Sequence, residues 1–337
     1  MRIAVIGAGG WGTALSVLLA GRGHQIFLWQ REKDLAQEAR RTRENRVFLP
    51  GVRIPEGVEI SWKISEVVPE ADMWVFAVPS QYVRQVARAV GEVDGGEGKL
   101  VVSVAKGIEE GSLKRMSEVL LEELPGLSSG RLAVLSGPSH AEEVGRGMPT
   151  SVVTASASVD TARTVQEAFF SPNFRVYTSD DVVGVELGGA LKNVIAIAVG
   201  ICDGLELGDN AKGALIARGL AEITRLGVAM GARPETFAGL SGAGDLITTC
   251  ISRHSRNRYV GEQVGRGRSL EEVLDEMVMV AEGVRTAEAA RKLALRYGVE
   301  MPITEKVHQV LFEGYDPRRA LEDLMLRQPK PEVWGWA

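Results

Sequence analysis

Cysteine and histidine are scarce in this chain of 337 residues, which contains two cysteines and four histidines. None lies at the close spacing that zinc sites require, and two cysteines cannot form a disulfide framework. We therefore expect no metal ion, and reduced, buried thiols of the kind found in cytosolic proteins. The residues concerned are Cys202, Cys250, His24, His140, His254 and His308.

The chain also has little excess charge. It contains 39 Lys and Arg against 44 Asp and Glu, which gives a net charge of −5. This balance argues against a general nucleic-acid surface, so any anion site must be locally basic. Glycines and charges interrupt the first apolar run, and no stretch matches a transmembrane helix in length and purity. We expect a cytoplasmic protein with no signal peptide, membrane span or nucleic-acid partner.

What is present begins at the first apolar run, Ile3–Ile6, which ends in a G-x-G-x-x-G spacing at Gly7, Gly9 and Gly12. The first glycine permits a sharp turn, the second lets the backbone approach a pyrophosphate, and the third lets a helix pack close to the strand. The N–H groups and dipole at the start of that helix favour phosphate. The pattern predicts dinucleotide binding, and the alternative is a plain glycine turn.

After the second predicted strand, His24–Trp29, the acidic residue typical of NAD sites is missing. Gln30 and Arg31 stand there instead, and Glu32 follows. An arginine suits the 2′-phosphate of NADP(H), and Glu32 leaves use of NAD(H) open. The alternative is that Arg31 is a solvated loop cation.

Short apolar strands alternate with helical segments up to about residue 180, which predicts a parallel, doubly wound α/β sheet of the Rossmann type. Helical periodicity then replaces the strand signals. We expect a dinucleotide-binding domain over 1–180, an all-helical substrate domain over 181–330 and a frayed tail over 331–337. Further predicted strands are Met73–Val78, Leu100–Val104, Leu132–Leu135, Thr150–Thr154 and Arg175–Thr178, and predicted helices include Gln81–Val90, Leu113–Glu123, Ala162–Phe170, Val185–Ile201, Ala211–Met230, Leu270–Met277, Thr286–Tyr297 and Ile303–Phe312.

Lys192 is the strongest candidate for chemistry, because it lies in the otherwise small and apolar helix Val185–Ile201. A buried lysine is unfavourable unless it is paired or functional, and burial lowers its pKa towards neutrality, as acid/base catalysis requires. The alternative is a lysine whose ammonium reaches the surface. Asn193 could orient a substrate oxygen or simply pair with buried backbone.

Two loops follow predicted strands, at the sheet edge where ligands bind in doubly wound folds. One carries Lys106, and the other carries Ser136-Gly137-Pro138-Ser139, which offers a hydroxyl and free N–H groups. Lys106 could equally be a solvated loop lysine. The serine loop could be only a helix N-cap.

A second polar region runs from Ser241-Gly242-Ala243-Gly244-Asp245 through Thr249 to Ser255-Arg256-Asn257. A hydroxyl, a guanidinium fork and an amide near a predicted helix start suit a phosphate or carboxylate. Asp245 could hold Lys192 or bind a substrate hydroxyl. The alternative is a glycine-rich loop with a capping serine.

Taken together, these motifs resemble NAD(P)-dependent glycerol-3-phosphate dehydrogenase of the bacterial type. The resemblance runs from Met1 to about Arg327 and is specific, because many motifs match in order. The motifs are Gly7–Ala14, Ala105–Glu109, Ser136–Ser139, Gly189–Asn193, Asn210–Lys212, Ser241–Asp245, Ser255–Asn257, Ala281–Val284 and Glu300–Ile303.

The resemblance implies reversible reduction of dihydroxyacetone phosphate to sn-glycerol 3-phosphate with NADP(H) or NAD(H), supplying phospholipid synthesis. It implies that Lys192 is the proton acceptor. The implied substrate site is Lys106, Gly137, Ser139, Asp245, Ser255, Arg256 and Asn257, beside which Lys192, Asn193 and Thr249 are candidates. The implied cofactor contacts are Gly10, Trp11, Arg31, Lys106, Ala141, Arg256, Val280 and Glu282, in addition to Gly7, Gly9 and Gly12.

Three positions depart mildly from the family pattern: Ala105 replaces the common Thr, His140 the usual Phe, and Ala243 a larger apolar residue. None removes a functional group. Two other classes stay open, namely a related hydroxy-acid dehydrogenase with the same layout and a catalytically silent redox-sensing module. A homodimer is compatible with the sequence, which leaves the oligomeric state open.

Overall fold

The protein is built from a sheet-containing region followed by a helical region. The structure, a computed structural model, describes residues 1–329 and 331–332, so most of the predicted tail lies outside the described residues. The last strand of the sheet ends at Ser179, and the first helix of the helical region begins at Val182. The predicted division at 180/181 falls between these two elements.

Eight strands form one sheet in the order β10-β9-β8-β7-β6-β1-β2-β5, and β3 and β4 form a separate hairpin. The central strands β6 and β7 are buried at every position, which is why they read as unbroken apolar runs. The strands are β1 (Arg2–Ile6), β2 (Gln25–Trp29), β3 (Glu44–Asn45), β4 (Leu49–Arg53), β5 (Val58–Ser61), β6 (Met73–Phe76), β7 (Leu100–Ser103), β8 (Leu132–Ser136), β9 (Thr150–Ser156) and β10 (Phe174–Ser179).

The predicted Rossmann-type sheet is confirmed, but the expectation that it is wholly parallel is wrong at one pair, because β8 and β9 are antiparallel. The chain between them contains only the five-residue helix α6 (Ala141–Gly145). A parallel connection needs a longer crossover, usually with a full helix packed on the sheet, whereas an antiparallel return does not. The direction is restored between β9 and β10, which are parallel and are joined by α7 (Val159–Phe169).

Helices cover the sheet on both faces. Besides α6 and α7 they are α1 (Gly10–Gly21), α2 (Lys33–Thr42), α3 (Ile64–Val67), α4 (Val83–Gly91) and α5 (Met116–Glu123). The region 32–61, which holds α2 and the small hairpin, was not assigned from the sequence. Its weak apolar signal has a physical reason, since α2 buries only Ala36 and Ala39.

The helical region is arranged around α8 (Val182–Gly204), which packs against helices on several sides. The others are α9 (Gly208–Ala229), α10 (Pro234–Ala238), α11 (Asp245–Ile251), α12 (Arg256–Gly265), α13 (Leu270–Asp275), α14 (Glu282–Tyr297), α15 (Pro302–Phe312) and α16 (Pro317–Met325). A π-helical turn, Leu240–Gly244, leads directly into α11. The expected all-helical architecture after the sheet is therefore confirmed for the described residues.

Close contact between α8 and α12 depends on glycines. A Cβ on Gly200 would lie 2.0 Å from the carbonyl oxygen of Arg258, and a Cβ on Gly261 would lie 2.0 Å from that of Ile197. No side chain fits at such distances, so the two backbones touch. This contact fixes the start of α12 relative to the middle of α8, where Lys192 lies.

One expectation about apolar segments was wrong. Helix α8 has 23 residues and contains an apolar window with a mean hydropathy of 1.7, so by length and composition alone it could cross a membrane. Its apolar window is 83% buried inside the protein, so this apolarity serves the core of the helical region. The sequence conceals the length of the helix because glycines and the charges of Glu186 and Lys192 interrupt it.

Candidate active site

Five loops converge at the carboxyl edge of the parallel strands. Gly7 follows β1, Arg31 follows β2, Ser80 follows β6, Lys106 follows β7 and Ser139 follows β8. Doubly wound sheets bind ligands at this edge. Here the edge faces α8, α11 and α12, and a cavity of about 420 Å³ lies between the two regions.

The glycine-rich turn forms a cradle that has no room for a side chain at Gly7, Gly10 or Gly12. Gly7 has φ +116°, and a Cβ on Gly12 would lie 1.8 Å from the carbonyl oxygen of Gly7. A Cβ on Gly10 would lie 2.7 Å from the carbonyl oxygen of Phe48. Helix α1 begins here without a side-chain cap or an acidic residue in its first turn, which leaves N–H groups for an anion.

Trp11 supplies a further sign of a ligand in this cradle. Its indole Nε1 is buried and has no hydrogen-bond partner among the described residues. An unpaired buried donor is unfavourable, and a pyrophosphate oxygen would satisfy it. The cradle therefore fits the dinucleotide predicted from the sequence.

The end of the cavity beside Arg31, which the sequence predicts to be the adenosine end, is exposed. The Arg31 side chain is 67% exposed, and its Nε donates to Glu32 Oε1 at 2.7 Å. Its guanidinium also lies 5.8 Å from the centre of the Tyr82 ring, within range of a cation–π contact. Both Arg31 and Glu32 line the cavity.

The other end of the cavity, which the sequence predicts to be the reaction end, is buried and is centred on Lys192. Its ammonium donates to Asp245 Oδ1, and to Thr249 Oγ1 at 2.6 Å. Burial lowers the pKa of Lys192 to about 8, even though the charge of Asp245 favours the protonated form. The Lys192 ammonium is therefore buried, and the alternative that it reaches the surface is wrong.

Asp245 bridges two lysines. Its Oδ2 accepts from Lys106 Nζ at 2.8 Å, and its Oδ1 accepts from Lys192. Burial alone would raise the pKa of Asp245, but the two ammonium groups hold it below its usual value. Lys106 Nζ also donates to the Gly137 carbonyl oxygen at 2.8 Å and to Ser139 Oγ at 3.2 Å. Lys106 is thus not a solvated loop cation.

The side-chain amides of Asn193 and Asn257 form a chain of hydrogen bonds that starts at the Lys106 backbone. Asn193 Nδ2 donates to the Lys106 carbonyl oxygen at 3.0 Å, and Asn193 Oδ1 accepts from Asn257 Nδ2 at 2.9 Å. Asn257 Oδ1 in turn accepts from the Gly283 N–H at 2.9 Å. Both amides are therefore largely committed to the protein, which leaves one N–H of Asn257 for a ligand.

Ser255 and Arg256 lie where α12 begins. Ser255 Oγ accepts from the Arg258 N–H at 3.2 Å and so caps the helix. Arg256 lines the cavity, and its Nη1 donates to the Val280 carbonyl oxygen at 2.7 Å. Nearby, Glu282 Oε1 accepts from the Ser80 N–H at 2.8 Å and joins the two regions.

Most of the candidate residues line this one cavity. Three candidate residues do not line the cavity. Gly12 lies beneath Gly7, and Gly137 and Asp245 lie behind Lys106, which lines the cavity and forms a hydrogen bond to each of them. Those that do are Gly7, Gly9, Gly10, Trp11, Arg31, Lys106, Ser139, Ala141, Lys192, Asn193, Thr249, Ser255, Arg256, Asn257, Val280 and Glu282.

The cavity residues that were not assigned to the site from the sequence include Phe48, Tyr82, His140 and His254. Tyr82 follows β6, so the rule that ligands meet strand ends could have identified it. Phe48 lies between two short strands that had no sequence signal. Within the part of the chain that the structure describes, no group of three or more His, Cys, Asp or Glu side chains could hold a metal ion.

Comparison with known proteins gives a consistent result. Residues 2–162 match the model for the N-terminus of NAD-dependent glycerol-3-phosphate dehydrogenase, and residues 181–322 match the model for its C-terminus. A glycerol-3-phosphate dehydrogenase [NAD(P)+] of Prosthecochloris aestuarii is 56% identical over 333 residues, covering 99% of this chain and 100% of that protein. One from Chlorobium luteolum is 53% identical over 98% of this chain and 99% of its own length.

Solved structures agree. A crystal structure of glycerol-3-phosphate dehydrogenase from Coxiella burnetii superposes with a TM-score of 0.92 at 37% identity, covering 97% of this chain and 99% of that one. A ketopantoate reductase family protein from Ralstonia eutropha, at 17% identity and a TM-score of 0.62, covers 95% of this chain and 100% of its own, and shares the fold alone. The family predicted from the sequence is therefore confirmed, and the chain belongs to the NAD-dependent glycerol-3-phosphate dehydrogenase family.

Proposed function

We propose that this protein reversibly reduces dihydroxyacetone phosphate to sn-glycerol 3-phosphate, with NADPH preferred over NADH. The observation that carries the proposal is the buried Lys192–Asp245–Lys106 cluster facing a cavity that also opens on the glycine cradle. Relatives more than 50% identical over nearly the whole chain bear the name glycerol-3-phosphate dehydrogenase [NAD(P)+].

Reduction of the carbonyl needs a proton at the oxygen of C2, and Lys192 is the group that we assign to this step. A bound nicotinamide dinucleotide supplies a hydride to C2, or accepts one in the reverse direction. Protonated Lys192 donates from Nζ during reduction, and neutral Lys192 accepts the proton during oxidation. A lysine pKa of about 8 allows both forms near neutral pH.

Asp245 and Thr249 position the Lys192 ammonium and take no direct part in the hydride transfer. Both accept from its Nζ, so the ammonium is held in one place before the substrate arrives. Such fixed, water-poor geometry avoids reorganisation during the reaction. Lys106, on the other oxygen of Asp245, adds positive charge beside the reacting carbonyl.

The substrate phosphate is assigned to the start of α12. Arg256 supplies a fork-shaped cation, Asn257 supplies its one free N–H, and the helix dipole favours the anion. Binding a phosphate remote from the reacting carbon supplies energy that positions that carbon.

Cofactor residues are assigned by their place in the cavity. Gly7, Gly9, Gly10, Trp11 and Gly12 would hold the pyrophosphate in the cradle. Arg31 would exchange its hydrogen bond to Glu32 for hydrogen bonds to the 2′-phosphate of NADPH. This exchange is the basis of the proposed preference for NADPH over NADH. The other assigned cofactor contacts are Lys106, Ala141, Arg256, Val280 and Glu282.

A steady-state assay with dihydroxyacetone phosphate and each reduced cofactor tests the proposal. We expect turnover with both and a lower KM for NADPH. A panel of 2-keto acids and unphosphorylated dihydroxyacetone should give little activity, because these lack the phosphate. Preference for a keto acid would support a related hydroxy-acid dehydrogenase, and cofactor binding without turnover of any substrate would support a redox-sensing module.

The cellular role is a finer prediction. A cytoplasmic enzyme of this activity would supply sn-glycerol 3-phosphate for glycerophospholipid synthesis. Depleting the protein in its host should lower glycerophospholipid content, and added glycerol 3-phosphate should restore it. No response to either treatment would refute this role while leaving the activity intact.

A further inference from the structure

His140 is a partly buried titratable group for which the mechanism above has no use. It is the residue immediately before α6, and its ring lines the cavity. Its Nε2 is buried and has no hydrogen-bond partner among the described residues. An unsatisfied buried polar atom is unfavourable, so a ligand or a solvent molecule is expected to pair with it.

The His140 ring belongs to the wall of the reaction end. Its neighbour Ser139 contacts Lys106. Across the cleft it faces His254, whose ring centroid lies 5.9 Å away at an angle of 52°. His254 belongs to the loop before α12, one residue ahead of the Ser255 cap and two ahead of Arg256. The two imidazoles thus stand beside the position assigned to the substrate phosphate.

The charges around His140 determine its protonation in the free protein. Burial, reinforced by the positive charges of Lys192 and Lys106, lowers the pKa of His140 below its ordinary value. Glu142 and Asp245 act in the opposite direction but do not reverse the shift. His140 is therefore neutral at pH 7 while the cleft holds no anion.

A phosphorylated substrate changes this balance, because it brings about two negative charges at neutral pH into a site with low effective dielectric. Those charges favour an imidazolium beside them. A half-turn about the Cβ–Cγ bond exchanges Nε2 with Cε1 while the ring outline stays in place. Such a turn would move the unpaired nitrogen out of its present buried position, and in the complex inferred below it places that nitrogen against the ligand.

We propose that His140 is a further substrate-binding residue, which takes up a proton as the phosphorylated substrate enters and donates a charge-assisted hydrogen bond to its phosphate. The inference rests on the proposed function for the place of the phosphate. It adds a fourth side chain to the set formed by Lys106, Arg256 and Asn257, and it makes substrate affinity depend on pH through a residue that is not part of the proton transfer.

Calorimetry on a complex that cannot react tests the proton uptake. Dihydroxyacetone phosphate is added to protein saturated with NADP⁺ at pH 7, in two buffers of different ionisation enthalpy. The wild type should take up protons on binding, and His140→Phe should take up fewer. Comparing the two proteins at the same pH cancels the titration of the substrate phosphate itself.

Kinetics provide the second readout. His140→Phe keeps the ring and removes both nitrogens, so KM for dihydroxyacetone phosphate should rise about tenfold at pH 6.5, as expected for loss of one charge-assisted bond. The increase should shrink towards pH 8.5, where wild-type His140 stays neutral. The kcat at saturating substrate should change less than KM, because His140 has no part in the proton transfer.

His140→Gln and His254→Phe sharpen the result. Gln keeps a hydrogen-bond donor but cannot titrate, so it should restore part of the affinity without the proton uptake. It also serves as the test if His140→Phe fails to fold. His254→Phe keeps the ring contact and should retain the uptake.

Three results would overturn the inference. One is equal proton uptake by wild type and His140→Phe. Another is a KM increase that is the same at every pH, as loss of packing or of a bridging water would give. The third is loss of the uptake in His254→Phe instead. Failure of the wild type to reduce dihydroxyacetone phosphate would refute the proposed function, and the calorimetric comparison would still report on His140.

Discussion

The two ends of the cavity each place a cation beside a carboxylate, yet they differ in burial. At the adenosine end the Arg31 and Glu32 side chains are 67% and 39% exposed, whereas at the reaction end those of Lys192 and Asp245 are 7% and 2% exposed. An exposed pair is worth about 0–1 kcal/mol, so a ligand can displace Glu32 from Arg31 at little cost. A buried pair is strongly destabilised when one partner is removed.

The difference fits the role that we propose for each end. Recognition of a 2′-phosphate tolerates a side chain that moves and exchanges partners. Proton transfer needs a donor already in position, and Lys192 is held by two acceptors before the substrate arrives. Changes at the buried end should therefore affect kcat and stability, and changes at the exposed end should affect cofactor KM alone.

Removing Lys192 should have the largest effect. Lys192→Ala should lower kcat about 10²–10⁴-fold, because it removes the proton donor while leaving the cradle intact. Binding of NADPH, measured by fluorescence titration, should stay close to wild type. Near-normal turnover of Lys192→Ala would show that another group, or solvent, supplies the proton. Inhibition of the wild-type protein by a chelator would show that a metal ion takes part in the reaction, and would also contradict the assignment.

Removing the charge of Asp245 should have the next largest effect, this time on stability. Asp245→Asn leaves Lys106 and Lys192 close together and buried, which should lower the free energy of unfolding by about 3–5 kcal/mol at pH 7. The loss should shrink as the pH rises towards 8, because without the Asp245 charge the pKa of Lys192 falls below its wild-type value of about 8 and the buried ammonium can lose its proton. Urea unfolding measures the change.

Glu32→Gln is the matched control for Asp245→Asn, because it breaks the exposed pair in the same way. We expect a change in the free energy of unfolding below about 1 kcal/mol. Equal losses in the two variants would mean that burial does not distinguish the two ends.

Arg256 is exposed at the start of α12, and removing it should affect the phosphorylated substrate selectively. Arg256→Ala should lower kcat/KM for dihydroxyacetone phosphate about 10–150-fold, from about 1.5–3 kcal/mol of lost bonding. The loss should be much smaller for unphosphorylated dihydroxyacetone. If both substrates suffer alike, Arg256 is structural or serves only the cofactor.

The pH dependence should reveal Lys192 directly. In the proposed mechanism reduction requires protonated Lys192, whose pKa is about 8, so kcat/KM for reduction should fall as the pH rises through 8. Above about pH 9 it should fall about tenfold per pH unit. Oxidation of glycerol 3-phosphate should show the opposite trend, rising to about pH 8 and then levelling off. A profile without a change near pH 8 in either direction would contradict the assignment.

Arg31 should have the smallest effect because it is the most exposed. Arg31→Ala should raise KM for NADPH about tenfold and leave KM for NADH nearly unchanged, since only NADPH carries the 2′-phosphate. The value is set at the low end because solvent screens an exposed cation. Equal increases with both cofactors would place Arg31 elsewhere on the cofactor.

The sequence by itself determined the elements that depend on local patterns. The turn at Gly7 requires a positive φ, and the apolar runs of β6 and β7 reflect burial on both faces, so both can be read from neighbouring residues. The unusual position of Lys192 in an apolar helix was visible for the same reason. The family resemblance then brought the remaining site residues into view through motifs that are also local.

Only the tertiary structure decided which side chains meet. Asp245 lies 139 residues from Lys106 and 53 from Lys192, and no periodic pattern specifies that one carboxylate holds both. The commitment of Asn193 and Asn257 to each other, the reversed direction of β9 and the unpaired nitrogen of His140 are likewise results of packing. Local sequence favours a helix or a strand through short-range interactions, whereas the contacts between these elements depend on how the whole chain closes around its core.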